Sequence, residues 1–249
     1  MTNRVVITGI GIVSPVGLDR ETTWKNLLAG VSGIDRITAF DPEGFETTIA
    51  AEVKGLDPEA YVGKKGARRM DRFVQLAAVA TLEAKEQAAV TIENSGSERV
   101  SVMIASGIGG IITLSEQLEV LLDKGPTRVS PFLVPKMLPD MASGQVSMLL
   151  GARGPNYATV SACSSAADSL GQAFLAVQRG EVDIVFAGGS DAAVCPIGVA
   201  GFNACQALSK HNDEPQQASR PFDAQRDGFV IGEGAAVLVF ESMDSAVNR

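Results

Sequence analysis

The chain has 249 residues, 45% of them hydrophobic and 5% aromatic, and carries a formal net charge of −8. This length can bury one large α/β core, and the negative charge argues against a general nucleic-acid binder. Its three cysteines contain no CxxC pair, which argues against a disulfide framework or a metal site, and no apolar run is as long as a signal peptide or membrane span, so we expect a cytoplasmic protein.

The first 63 residues predict one strand and one helix ahead of an irregular stretch. The apolar run Arg4–Thr8 is typical of a buried strand, and Asp19 is a suitable N-cap for a helix ending near Leu28. The motif Gly9-x-Gly11-x-x-Ser14 lacks the third glycine of a dinucleotide-binding fingerprint, so we expect no nucleotide cofactor. Residues 32–63 are rich in proline and glycine and indicate a surface excursion.

A long amphipathic helix is predicted over Ala67–Ala88 from apolar residues that recur with a period of 3.6. Residues 64–72, around its start, hold five basic side chains against one acidic side chain. Such a run is most often a solvated helix face, but its sign is opposite to that of the whole chain. We therefore expect a docking patch for an acidic partner.

The remainder alternates buried apolar runs with helical patterns. Strands are predicted over Val100–Ala105, Tyr157–Val160 and Ile184–Ala187, and helices over Ile111–Lys124, Val134–Leu150 and from just after Cys163 to Arg179. Residues 228–240 predict two paired strands with glycines at the bend. This alternation indicates an α/β fold with a mixed, mostly parallel sheet and helices on both faces.

Cys163 occupies the predicted turn between a strand and a helix. The free N–H groups and the positive end of the helix dipole favour an anion at such a turn. A thiol placed there is favoured as thiolate, the nucleophilic form. A free cysteine is more often a small buried apolar residue, so the local pattern alone leaves both interpretations open.

The motifs along the chain resemble those of the beta-ketoacyl-acyl carrier protein synthases, and most closely the elongating type II enzymes. The matching motifs are Val6-Ile-Thr-Gly-Ile-Gly11, Ser14-Pro-Val-Gly17, Ala105-Ser-Gly-Ile-Gly-Gly110, Ser161-Ala-Cys-Ser-Ser165, Ala187-Gly-Gly189, Ala207-Leu-Ser209, Ser219-Arg-Pro-Phe-Asp223, Arg226-Asp-Gly-Phe-Val230 and Gly232-Glu-Gly-Ala235. They cover nearly all of the chain in the order of the family.

The resemblance implies a thiolase-like fold and a role for each matching position. Cys163 would accept the acyl chain, with its own N–H as one donor to the thioester oxyanion. Gly107, Ile108 and Phe202 would wall the acyl pocket, so that a bulkier residue there shortens the accepted chain. An acidic carrier protein, loaded with acyl or malonyl groups, would dock on Lys64, Lys65, Arg68, Arg69 and Arg128. A further basic position of the family falls on Gln206.

The resemblance also implies a second half with two catalytic histidines, and residues 1–249 match only the N-terminal half. The single histidine, His211, lies in a polar loop and is expected to be a surface residue. Three hypotheses remain open: one half of a ketosynthase, a non-condensing acyl-binding or assembly partner, and a cysteine hydrolase that uses His211. A solitary half should expose an apolar face, so we expect a homodimer, a complementary half or aggregation.

Overall fold

The computed structural model describes residues 2–92 and 96–249, which form layers of helices around a four-stranded sheet. The strands in these residues are β1 (Val5–Val13), β2 (Ile34–Arg36), β3 (Ile49–Ala51), β4 (Val100–Ala105), β5 (Ile184–Ala192) and β6 (Glu233–Ser242). The α-helices are α1 (Arg20–Leu28), α2 (Glu59–Arg68), α3 (Arg72–Ala88), α4 (Ile111–Lys124), α5 (Leu133–Met137), α6 (Met141–Leu150), α7 (Ser165–Gln178), α8 (Pro196–Ala204) and α9 (Met243–Asn248).

The main sheet has the strand order β1-β6-β5-β4, and helices cover both of its faces. Helix α3 packs on β1, β6 and β5, and helix α7 packs on β5, β4 and β6 from the other side. The predicted α/β class, mixed sheet and two helical layers are confirmed. Among the described residues, however, β4–β5 is the one parallel pairing of this sheet, so its parallel share is smaller than predicted. The reason is that β6 inserts between β1 and β5, antiparallel to both.

The hairpin predicted over residues 228–240 is wrong, because this segment contributes one strand, β6. Both edges of β6 are already occupied, by β1 and by β5, so no edge remains for the residues before it. Phe229 instead forms an isolated parallel bridge with Leu208.

The strand predicted over Tyr157–Val160 is also wrong. The segment runs beside β4, but a single bridge between Val102 and Asn156 is its only strand pairing in the described chain. Beyond this bridge, the side chain of Ser143 lies between the backbones of β4 and the segment. Its Oγ accepts from the Ile104 N–H at 2.7 Å and lies 2.9 Å from the Tyr157 carbonyl oxygen, so a hydroxyl takes the position of the backbone ladder.

Two predicted helices are each divided in two. The Ala67–Ala88 helix is α2 followed by α3, because Asp71 caps the start of α3 and accepts a hydrogen bond from the Phe73 N–H. The Val134–Leu150 helix is divided at Leu138, whose backbone is extended ahead of Pro139. The irregular excursion holds the small β2–β3 sheet and the first half of α2.

Helix α3 sits directly on β1 because glycine leaves room for its backbone. A Cβ built on Gly11 would lie 1.8 Å from the Ala80 carbonyl oxygen. The buried side chains Phe73 and Leu76 extend this contact into the main apolar core. No helix in the described ranges is both long and apolar enough to cross a membrane.

Candidate active site

Cys163 lies in a turn of 3₁₀-helix, Ala162–Ser164, immediately ahead of α7. Ala162 has a φ of 53°, in the left-handed region, which costs a residue with a Cβ about 1–2 kcal/mol. The turn leaves the Cys163 side chain exposed. Its backbone N–H has no hydrogen-bond acceptor within the described residues. An accessible thiol and a free N–H donor therefore lie together at the start of a helix.

Ser165, the first residue of α7, holds this turn. Its buried Oγ accepts from the Ser161 N–H at 2.9 Å and donates to the Ala162 carbonyl at 2.7 Å. The Ser161 hydroxyl also donates a hydrogen bond to the Asp168 carboxylate, which holds Ser161 from a second direction. Ser165 belongs to a motif quoted above, but the sequence pattern assigned it no role; its signal is a serine at the first helical position after the cysteine.

Cys163 opens onto a cavity of about 370 Å³ at one end of the main sheet. Ser14 and Ala105 line it from the carboxyl ends of β1 and β4, Gly189 lines it from β5 opposite Ala105, and Gly234 lines it from the beginning of the antiparallel β6. Open α/β sheets bind their ligands at this end. Because most of the lining residues are small, the cavity can receive a chemical group close to the thiol.

The three residues expected to form the acyl pocket lie in two places. A Cβ on Gly107 would lie 3.3 Å from the carbonyl oxygen of Ala162, so Gly107 adjoins the cysteine turn, and Ile108 beside it is 40% exposed. Phe202 lies on α8 in a separate apolar cluster, where its ring packs edge-on against Phe229 at 5.4 Å between centroids. Gly107 thus adjoins the cysteine turn, and Phe202 packs against the apolar cluster that contains Leu208 and Val199.

Asp191, which was not among the residues expected from the sequence, lines the same cavity as Cys163. Its carboxylate accepts from the Ser106 hydroxyl at 2.7 Å, the Gly107 N–H at 3.0 Å and the Ile108 N–H at 3.3 Å. A signal was present, because an acidic residue follows a glycine pair at the end of an apolar strand.

The basic patch, which we define as Lys64, Lys65, Arg68 and Arg69, forms one wall of a surface groove of about 550 Å³. Phe132 also lines this groove, and the Arg69 guanidinium lies over its ring, 5.5 Å from the centroid. Within the described part of the chain, no member of the basic patch has an ion-pair partner. Four unpaired cations beside an aromatic ring favour an acidic protein surface with an apolar centre.

Other basic candidates differ in their surroundings. Arg72 points inward and pairs at 2.6 Å with buried Glu233. Arg128 is exposed at the end of a short 3₁₀-helix. Gln206 lines another groove with Glu43 and Glu46, so the surroundings of the substituted basic position are acidic.

The remaining reactive side chains are kept apart from Cys163. His211 Nε2 lies 3.2 Å from Glu214 Oε2, and its ring makes no hydrogen bond to Cys163 in the described chain. Cys195 is buried at the start of α8, and burial raises the pKa of its thiol. No group of three or more His, Cys, Asp or Glu side chains suited to a metal ion occurs in residues 2–92 and 96–249.

Comparison with known proteins places this geometry in a family. Residues 2–246 match the family description "Beta-ketoacyl synthase, N-terminal domain". The 3-oxoacyl-[acyl-carrier-protein] synthase 2 of Staphylococcus aureus (strain N315) is 52% identical over 246 residues, which cover 99% of this chain and 59% of that protein. The chain therefore spans about 59% of the length of this curated relative.

Solved structures show the same relation. A beta-ketoacyl synthase from Burkholderia phymatum STM815 superposes with a TM-score of 0.89 at 32% identity, over 100% of this chain and 61% of that one. A ketosynthase in complex with its type II polyketide acyl carrier protein, bound to a hexaketide, gives 0.87 at 30% identity, over 100% of this chain and 60% of that one.

Proposed function

The chain belongs to the beta-ketoacyl synthase family, and on this premise we propose that Cys163 accepts the acyl group in a 3-oxoacyl-acyl carrier protein synthase reaction of fatty-acid elongation. The observation that carries the proposal is the cysteine turn. It combines an exposed thiol, a free N–H at the same residue and the start of α7, at the mouth of a cavity of about 370 Å³.

The first step is acyl transfer. The Cys163 thiolate attacks the carbonyl carbon of an acyl thioester, the new S–C bond forms, and the C–S bond to the carrier breaks. The carrier leaves as a thiol that takes up the proton lost from Cys163. The free Cys163 N–H is available to the developing oxyanion, and the dipole of α7 stabilises negative charge at the same point.

The later steps are decarboxylation of a malonyl thioester and attack of the resulting carbanion on the acyl-cysteine. The family resemblance assigns the enolate donors of the decarboxylation to two histidines, whereas these 249 residues hold one, His211, whose ring contacts Glu214. Loss of one such donor costs on the order of 10²–10³ in rate. Residues 1–249 therefore act as the N-terminal ketosynthase domain, and condensation needs a complementary C-terminal half.

The proposed partner is an acidic acyl carrier protein that docks on the basic patch, with Arg128 as an outlying contact. The unpaired cations around Phe132 support this partner, and a related ketosynthase has been solved with its carrier protein. Arg68→Glu should weaken carrier binding in a salt-dependent way. Lys25→Glu, a reversal on exposed α1, is the matched control; equal losses in both variants would contradict docking at the patch.

A homodimer or a complementary half is proposed to cover apolar side chains that remain exposed on β1 and α7. On β1, Ile7 is 53% exposed and Ile10 is 37% exposed, and Phe174 on α7 is 40% exposed. Exposed apolar side chains that form a contiguous patch mark interaction surfaces or promote aggregation, which is the reason for proposing a covering partner. A stable monomer by light scattering would contradict the proposed covering. We also propose that the protein is located in the cytoplasm.

The decisive experiment follows acylation of Cys163 by intact-protein mass spectrometry. Incubation with an acyl-carrier thioester should add one acyl group, which Cys163→Ser abolishes and Cys205→Ser retains. Labelling by the epoxide cerulenin should favour Cys163 over the exposed Cys205 and the buried Cys195. Equal labelling would favour the alternative function, a non-condensing acyl-binding or assembly partner.

The remaining alternative, a cysteine hydrolase, requires a base within reach of the thiol. His211 lies 3.2 Å from Glu214 and makes no hydrogen bond to Cys163 in the described residues. We expect His211→Ala to leave any esterase activity unchanged; loss of that activity would revive the hydrolase hypothesis.

A further inference from the structure

The loop after β4 folds around the carboxylate of Asp191. Three donors from consecutive residues reach it: the Ser106 hydroxyl at 2.7 Å, the Gly107 N–H at 3.0 Å and the Ile108 N–H at 3.3 Å. The loop is closed on itself as well, because the Gly109 N–H donates to Ser106 Oγ at 2.8 Å. The Asp191 carboxylate thus holds three consecutive residues of the loop.

Strand register explains why Asp191 is in reach of this loop. β4 and β5 are parallel, with Ala105 opposite Gly189 where the ladder ends. β4 ends there, whereas β5 continues to Ala192 with Asp191 paired to Gly234 of β6, so Asp191 is level with Gly107 in the loop that follows β4. Because the loop N–H groups are already bound by this carboxylate, they do not bind an external phosphate or other anion.

The loop held by Asp191 is packed against the cysteine turn. A Cβ on Gly107 would lie 3.3 Å from the Ala162 carbonyl oxygen and 3.5 Å from Asp191 Oδ2. Gly107 therefore adjoins both the turn that carries Cys163 and the carboxylate. Asp191 and Cys163 also line one cavity. Displacement of the carboxylate would move this wall of the cavity relative to the thiol.

We propose that Asp191 is a positioning residue that fixes Gly107 and Ile108 relative to Cys163 and thereby sets the length of the acyl chain the site accepts. This proposal rests on the proposed function, because it assumes that acyl chains pass Gly107 and Ile108. Asp191 takes no part in the chemistry at the thioester. Its effect is to keep the apolar side chain of Ile108 at one place beside the path of the acyl chain.

The test uses Asp191→Asn, which preserves the shape of the side chain but replaces one acceptor oxygen by an NH₂ donor. The resulting amide can no longer accept all three hydrogen bonds. Amide hydrogen exchange at Gly107 and Ile108 is measured first. It should become about tenfold faster, the change expected when one ordinary hydrogen bond is lost. The matched control is Asp41→Asn, which alters an exposed aspartate that accepts one backbone N–H.

Chain-length selection is measured with iodoacetamide and its N-octyl derivative. The rate at Cys163 is divided by the rate at exposed Cys205 in the same sample. The native chain should prefer the octyl reagent at Cys163. Asp191→Asn should reduce that preference about fivefold, comparable to losing burial of one or two methylenes, while the iodoacetamide rate stays within about twofold.

Each result supports or overturns the proposal. Unchanged exchange refutes the anchoring role, and faster exchange with an unchanged octyl preference refutes the role in chain length. A native chain without octyl preference would refute the acyl pocket itself, while the exchange measurement still decides whether Asp191 anchors the loop. If Asp191→Asn does not fold, Ser106→Ala removes one donor and should change both measurements in the same direction.

Discussion

Ser165→Ala is the sharpest test of the cysteine turn. The variant deletes an Oγ that accepts from the Ser161 N–H at 2.9 Å and donates to the Ala162 carbonyl at 2.7 Å. Each net hydrogen bond contributes about 0.5–1.5 kcal/mol, and Ser165 is only 3% exposed, so water does not readily replace it. We expect the free energy of unfolding to fall by about 2 kcal/mol.

The same variant should affect the reactivity of Cys163. Ala162 holds a left-handed conformation, and without the Ser165 hydroxyl the turn can relax and move the thiol away from the start of α7. The helix-dipole contribution is about 0.3–1 kcal/mol, so alkylation of Cys163 by iodoacetamide should slow by about twofold to fivefold relative to Cys205.

Urea unfolding and peptide mass spectrometry measure the two effects. The matched control is Ser115→Ala on α4, because Ser115 also donates to the carbonyl three residues earlier but makes no second bond in the described chain. A loss of stability equal to that of Ser115→Ala, with an unchanged alkylation rate at Cys163, would refute the role given to Ser165.

Three further predictions concern other parts of the chain. Gly11→Ala should destabilise the protein by about 1–3 kcal/mol in urea unfolding, since the new Cβ would lie 1.8 Å from the Ala80 carbonyl oxygen; wild-type stability would contradict this packing. The hydrogen bond from Arg99 lowers the pKa of Asp183, so Asp183→Asn should cost about 1 kcal/mol at neutral pH. That loss should disappear as pH falls below about 4, through the lowered pKa, and a pH-independent loss would exclude the ion pair as its cause. Burial raises the pKa of the Cys195 thiol, so its alkylation should lag behind that of Cys163 across neutral pH, and equal rates would show that Cys195 is accessible.

Features encoded by neighbouring residues could be predicted from the sequence. The turn at Cys163, the strands Val100–Ala105 and Ile184–Ala187 and the helix Ile111–Lys124 are present in the structure. The basic patch was also found, because its charge stands out locally against an acidic chain. Local composition and periodicity suffice for such elements.

Features that depend on distant residues were missed. The sequence pattern cannot show that β6 has both edges occupied, and so a hairpin was predicted at residues 228–240. Nor can it show that Ser143 replaces a backbone partner beside β4, or that Asp191 reaches a loop more than eighty residues earlier. Each of these side chains or strands finds its partner only after the sheet has formed.

The position of β6 also has a consequence for the order of folding. Val5 pairs with Ser242, and the two strands on either side of β6 have no pairing with each other. A nascent chain that has not yet reached residue 233 leaves β1 without its neighbour and one side of β5 open. Such long-range pairing slows folding and exposes strand edges that aggregate. During synthesis the first strand must therefore wait until residues 233–242 have been made, an interval in which a chaperone can protect it.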